Sequence, residues 1–98
     1  MIARTWRGWT SAESADEVAA HLRNGALARY AAAPGCIGIE VLCRPMAGGV
    51  EVMTLTLWGS AEAVPEIVEE GHPLLVARQT VATCWDVTGE PNAIAEAA

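Results

Sequence analysis

Val50-Glu51-Val52-Met53-Thr54-Leu55-Thr56-Leu57-Trp58 is the stretch that decides the fold. Thr54, Thr56 and Trp58 share one face, and Met53, Leu55 and Leu57 share the other. Both faces are largely apolar, which marks a central strand covered on both sides. Ahead of it, Met46-Ala47-Gly48-Gly49 reads as a hairpin loop. Cys36 to Arg44 reads as the partner strand, with Ile37, Ile39, Val41 and Cys43 on one face and Pro45 ending it. After the central strand, Ser60 opens a helix through about Glu70, with Val64, Ile67 and Val68 as its buried stripe. Pro65 falls near its first turn, where proline is tolerated.

The flanks complete the pattern. Ile2 to Trp9 alternates as a strand, with Ile2, Arg4, Trp6 and Gly8 on one face. Ser14 with Glu17 forms a capping box that opens a helix, whose stripe is Val18, Leu22 and Ala26. Gly25 breaks or bends that helix before Tyr30, and Pro34-Gly35 stops it. Gly71-His72-Pro73 ends the second helix, Leu74 to Arg78 reads as a short helical turn, and Val81 to Val87 as the last strand. The order is β-α-β-β-α-β: an α+β, ferredoxin-like plan with a four-stranded antiparallel sheet and both helices on one face. Residues 1–88 are expected to form the domain and 89–98 a flexible tail. The helix-free sheet face carries apolar side chains and needs a cover, and a second copy is the economical one.

The 98 residues fit one domain, and 52% hydrophobic with 18% charged excludes intrinsic disorder. A net charge of −6 with no lysine argues against nucleic acid and against an anionic membrane surface. No apolar run reaches the roughly 18 residues of a membrane-spanning helix, and Met1 to Arg7 is too polar for a signal peptide. Cys36 and Cys43, seven apart on one strand, are expected on opposite faces and so unable to pair. No Cys/His spacing suits zinc, and a reducing cytoplasm is the expected home.

Met1 to Gly8, then Tyr30 through Pro34-Gly35, then Thr54-Leu55-Thr56-Leu57-Trp58-Gly59-Ser60 resemble the antibiotic biosynthesis monooxygenase family. Cys84-Trp85-Asp86-Val87 stands where that family has a His-aromatic-acid-aliphatic strand. The resemblance spans about residues 1–88. It implies a dimeric α/β-barrel with a pocket in each subunit between helices and sheet. Members include cofactor-free oxygenases of aromatic polyketides and haem-degrading enzymes. In the haem-degrading relatives an Asn on the first strand, the third-strand Trp and a His late in the second helix form the site. Trp58 matches the Trp, whereas Trp6 takes the Asn place and Ala77 falls near the His position. Cys84 replaces the common His of the last strand. Haem degradation loses ground accordingly.

The expected function is therefore a small cofactor-independent monooxygenase acting on an aromatic polyketide or phenolic substrate, with dioxygen as co-substrate. The alternatives are a haem or other small-ligand binder and a non-catalytic dimer. Such an oxygenase needs a dry cavity, a proton acceptor and a donor for the growing oxyanion. His72 is the candidate base and Trp58 the second catalytic candidate. Trp6, Arg4, Tyr30, Thr54, Thr56 and Trp85 are candidates for binding the substrate, with Arg4 holding an anionic oxygen. Each also reads as plain structure: the tryptophans as core or dimer packing, His72 as a loop residue, His21 as surface, and Arg4 as half of an ion pair.

Overall fold

The computed structural model describes residues 1–65, 72–77 and 83–88. Strand β1 (Ile2–Thr10) leads into helix α1 (Ala15–Asn24) and helix α2 (Ala26–Ala31). Strands β2 (Cys36–Met46) and β3 (Gly49–Trp58) follow, then a single 3-10 turn at Ala61–Ala63, β4 (Val76–Ala77) and β5 (Thr83–Asp86). The sheet order is β2-β3-β1-β4, with β5 also on β1, and every pairing is antiparallel. β4 and β5 share one edge of β1, β5 against Ile2 to Thr5 and β4 against Gly8 and Trp9. This is the α+β, ferredoxin-like fold.

Both helices lie on one face of the sheet. Val18 and Leu22 of α1 pack on Val52, and Leu27 and Tyr30 of α2 pack on Trp58. Gly25 separates the helices with φ −101° and ψ −101°, a conformation off the helical basin. The alternation of β3 follows the expected parity: Val52, Thr54, Thr56 and Trp58 are fully buried, while Met53, Leu55 and Leu57 are only half-buried on the helix-free face.

Several local expectations are corrected. Ser14 precedes α1, but its side chain makes no cap, and its own N–H instead bonds to Ser11 Oγ at 3.3 Å. β2 runs through Pro45 to Met46, because β2 is an edge strand and a proline lacking its N–H costs little there. The hairpin turn shrinks to Ala47-Gly48, with Gly48 at φ 81°. A bulge between Cys36 and Gly38 shifts the parity of β2. Ile37 is consequently 58% exposed, and Cys36 packs instead against the Trp58 cluster. Cys36 opposes Trp58 and Cys43 opposes Val52, so the two thiols share the helix-facing side rather than opposite ones. All three cysteines are free.

The helix expected from Ser60 does not form over its first turn. Val64 is already extended at φ −68°, ψ 125°, since the following Pro65 disfavours helical backbone before it. Ile67, Val68 and the rest of that helix to Glu70 lie outside the described residues, as do Arg78, Val81 and the expected tail. Within Leu74 to Arg78, the expected helical turn is replaced by extended chain: Val76 and Ala77 pair with Trp9 and Gly8.

Candidate functional site

Between the helices and the sheet, polar groups interrupt an otherwise apolar layer. Arg4, Thr54 and Thr56 are buried on the helix-facing side, Arg4 with only 5% of its surface exposed. Arg4 stands opposite Thr56, and Trp6 opposite Thr54, in the β1–β3 register. Trp58 donates its indole N–H to Thr56 Oγ1 at 2.9 Å. Tyr30 meets Trp58 edge to face, with centroids 6.0 Å apart and planes at 68°. The guanidinium carbon of Arg4 lies 5.7 Å from the Tyr30 ring centroid, within cation–π range. Arg4, Tyr30, Thr56 and Trp58 thus form one cluster, joined along the sheet by Thr54 and Trp6.

Arg4 is a buried cation set against the Tyr30 ring, and an arginine is seldom so deeply buried without partners. Such a cluster can hold an anionic oxygen of an aromatic molecule, with ring faces as walls and hydroxyls as further partners.

The other two candidates stand elsewhere. His72 begins the turn that ends in Leu75, and Leu75 packs with Val18, Leu22 and Val52. Val52 and Trp58 are six residues apart on one strand, roughly 20 Å at about 3.3 Å per residue. His72 is therefore at the opposite end of the sheet from the Trp58 ring, and the expectation that both border one cavity is corrected. Trp85 stands opposite Ala3 and donates its N–H to Thr5 Oγ1 at 3.1 Å. It lies on the helix-free face, 58% exposed, on the other side of the sheet from Trp58. Ala77 is in β4 and not late in a helix.

The sequence reading missed the contact between His21 and His72, whose ring centroids are 4.7 Å apart. It also missed that Leu75 lies over Gly8 beside the Trp6 ring, where a Cβ on Gly8 would come within 2.7 Å of Leu75 Cδ1. Nothing local signals either contact, since both depend on the 72–77 segment folding back onto the far end of β1.

Two of the hollows lined by described residues flank β2. A bowl of about 390 Å³ opens among Arg7, Leu42, Cys43, Arg44, Glu51 and Met53. Arg44 pairs with Glu51 at its edge, at 2.9 Å. Burial pushes the Cys43 thiol above its ordinary pKa; Arg23 pulls it back and Asp16 adds to the rise. A groove of about 130 Å³ runs between Arg23, Leu27 and the β2 residues Ile39 to Val41. Neither is lined by Arg4, Tyr30, Thr56 or Trp58. Among the described residues, no three His, Cys, Asp or Glu side chains gather as a metal site, and no helix is long and apolar enough to cross a membrane.

No family model matches the sequence, and no curated protein matches it. Among solved structures, the fold matches that of a provisionally named antibiotic biosynthesis monooxygenase from Bacillus cereus. The TM-score is 0.65 over 95% of this chain and 96% of that one, at 18% sequence identity. What the two chains share at that identity is the fold.

Proposed function

We propose that this protein is a cofactor-independent monooxygenase-like enzyme that takes an anionic aromatic substrate, a phenol or anthrone, between its helices and sheet. The observation that carries the reading is the buried guanidinium of Arg4 against the ring of Tyr30, beside the Trp58–Thr56 hydrogen bond. The name of the Bacillus cereus neighbour is in keeping with it.

In this reading Arg4 binds the substrate oxygen and favours its deprotonated form, since a neighbouring positive charge lowers the pKa of an acid. With His72 at the far end of the sheet, the substrate's acidity is raised by the cation and the proton leaves to water. The resulting carbanion passes an electron to dioxygen. Recombination of the radical pair forms a C–O bond and a peroxide anion, which takes a proton from water to give the hydroperoxide. Loss of water from that hydroperoxide leaves a carbonyl on the ring, so one oxygen atom enters product and the other leaves as water. Trp58 and Thr56 act together: the indole fixes the hydroxyl, which offers its own hydrogen toward the developing oxyanion.

A homodimer through the helix-free face belongs to the same reading. That face presents Leu42, Val76 and Trp85 as exposed large apolar side chains around the half-buried Met53, Leu55 and Leu57. A second copy is the cover that closed two-fold symmetry supplies. The free thiols fit a reducing cytoplasm.

One observation favours a second reading, a non-catalytic dimer. Thr54, Thr56 and Trp58 are fully buried by the chain's own side chains. Oxygen uptake separates the two readings. A panel of anthrones and electron-rich phenols is incubated with protein and air, without flavin or metal. Stoichiometric oxygen consumption that is lost in Arg4→Met supports the enzyme. No uptake with any substrate, from a protein that binds none of them, leaves the non-catalytic dimer.

A further inference from the structure

The chain from His72 to Ala77 is fastened to the sheet by a set of contacts that hinge on one imidazole. His72-Pro73-Leu74-Leu75 is a β-turn closed by Leu75 N–H to His72 C=O at 2.9 Å, with proline at its second position, where its fixed φ suits the turn. Inside that turn the Leu74 N–H donates to His72 Nδ1 at 3.0 Å. This is the side-chain-to-backbone bond that Asn or Asp makes at the first position of a turn. The turn presents the Leu74 carbonyl to the hydroxyl of Thr10, which donates to it at 2.7 Å from full burial. It also seats Leu75 over Gly8 and starts β4.

We propose that this segment is a pH-sensitive latch over the Trp6 end of the helix–sheet layer, opened by protonation of His72. The turn bond needs a lone pair on Nδ1. An imidazolium carries hydrogen on both nitrogens, so it cannot accept from Leu74. The second ring sharpens the response. His21, on α1, meets His72 edge to face at 4.7 Å, so two imidazolium charges would repel across the gap. Among the described residues, β1 brings Gly8 and Thr10 against the turn, and neither titrates. On α1, Glu17 stands one turn before His21. Glu70, two residues before His72 in the chain, lies outside the described residues and is controlled for in the test. Histidine as a residue type changes charge between pH 5 and 8, which sets the two pH values of the test.

The same geometry argues against reading the pair as a metal site. With Nδ1 accepting a backbone N–H, the neutral His72 ring carries its proton on Nε2, and neither nitrogen is left with a lone pair for a metal.

The test is hydrogen exchange of the Leu74 and Leu75 amides, corrected for intrinsic rate, at pH 8 and pH 5. Wild type should lose protection on acidification by on the order of fivefold, the scale of one hydrogen bond. His72→Asn keeps an acceptor that does not titrate near neutrality, so its protection should be the same at both pH values. His72→Ala should show at both pH values the reduced protection that wild type shows at pH 5, while Glu70→Gln should keep the wild-type response. Amides in α1 and the centre of β3 report on global unfolding and should not change. Equal protection of wild type at pH 5 and pH 8 overturns the latch. So does a His72→Asn variant that still loses protection in acid, or a Glu70→Gln variant that no longer responds.

Discussion

The indole N–H of Trp58 donates to the hydroxyl of Thr56, two residues earlier on the same face of β3, and both side chains are fully buried. The pair places a polar bond in the middle of an apolar layer, where an unmade bond is expensive. Trp58→Phe keeps an aromatic ring but leaves the hydroxyl without its donor. It should cost about 1–2 kcal/mol in urea unfolding. Thr56→Val added to Trp58→Phe should cost clearly less than it does alone. A double-mutant cycle with no coupling would show that the bond does not contribute.

The hairpin offers two adjacent glycines with different roles. Gly48 has φ 81° and open space around its Cβ position, so Gly48→Ala meets backbone strain alone and should cost about 1 kcal/mol. A Cβ on Gly49 would run into the Trp9 ring and the Thr10 carbonyl. Gly49→Ala should therefore be the more damaging, by roughly 3 kcal/mol or more. Denaturation of the two variants side by side checks the order, and equal costs would contradict the close approach of Trp9.

Leu55 stands at the centre of the helix-free face, half-buried in the single chain. If a second copy covers that face, Leu55→Asp buries an unpaired carboxylate and should yield monomers or an unfolded chain. Sedimentation at micromolar concentration reads the outcome. A wild-type protein that sediments as a monomer refutes the dimer.

Cys43 has its pKa raised by burial, then lowered in part by Arg23 and raised by Asp16. The folded state thus prefers the neutral thiol. Stability associated with it is intact below the unfolded thiol's titration range and falls as pH rises through it. In a Cys36→Ser, Cys84→Ser background, alkylation of Cys43 near neutral pH should be slower than that of the unfolded chain, and its rate should climb at higher pH. Alkylation of the folded protein as fast as the unfolded chain would contradict the shift.

The first three strands, the buried face of β3 and the break at Gly25 were legible because each follows from local alternation or a single punctuating residue. The Arg4–Trp6 and Thr54–Thr56–Trp58 faces followed from the same period-two rule, and pairing β1 with β3 brought them together. The parity of β2 was not legible, since a bulge at Cys36/Gly38 leaves no fixed signature in an otherwise regular run. His72 and Trp85 were misplaced for a different reason. Their positions depend on β4 and β5 sharing the edge of β1, a tertiary choice that two- and four-residue strands do not announce.

The central claim is that Arg4 gives the helix–sheet layer a preference for anionic aromatic ligands. The direct measurement is the affinity of 2-naphthoate against the neutral 2-naphthalenemethanol, by calorimetry, for wild type and Arg4→Met. Wild type should bind the carboxylate about tenfold or more tightly, the scale of one charge-assisted hydrogen bond. Arg4→Met should bind the two alike, with the fold retained. Equal affinities in wild type, or a preference for the carboxylate that survives in Arg4→Met, would contradict the account.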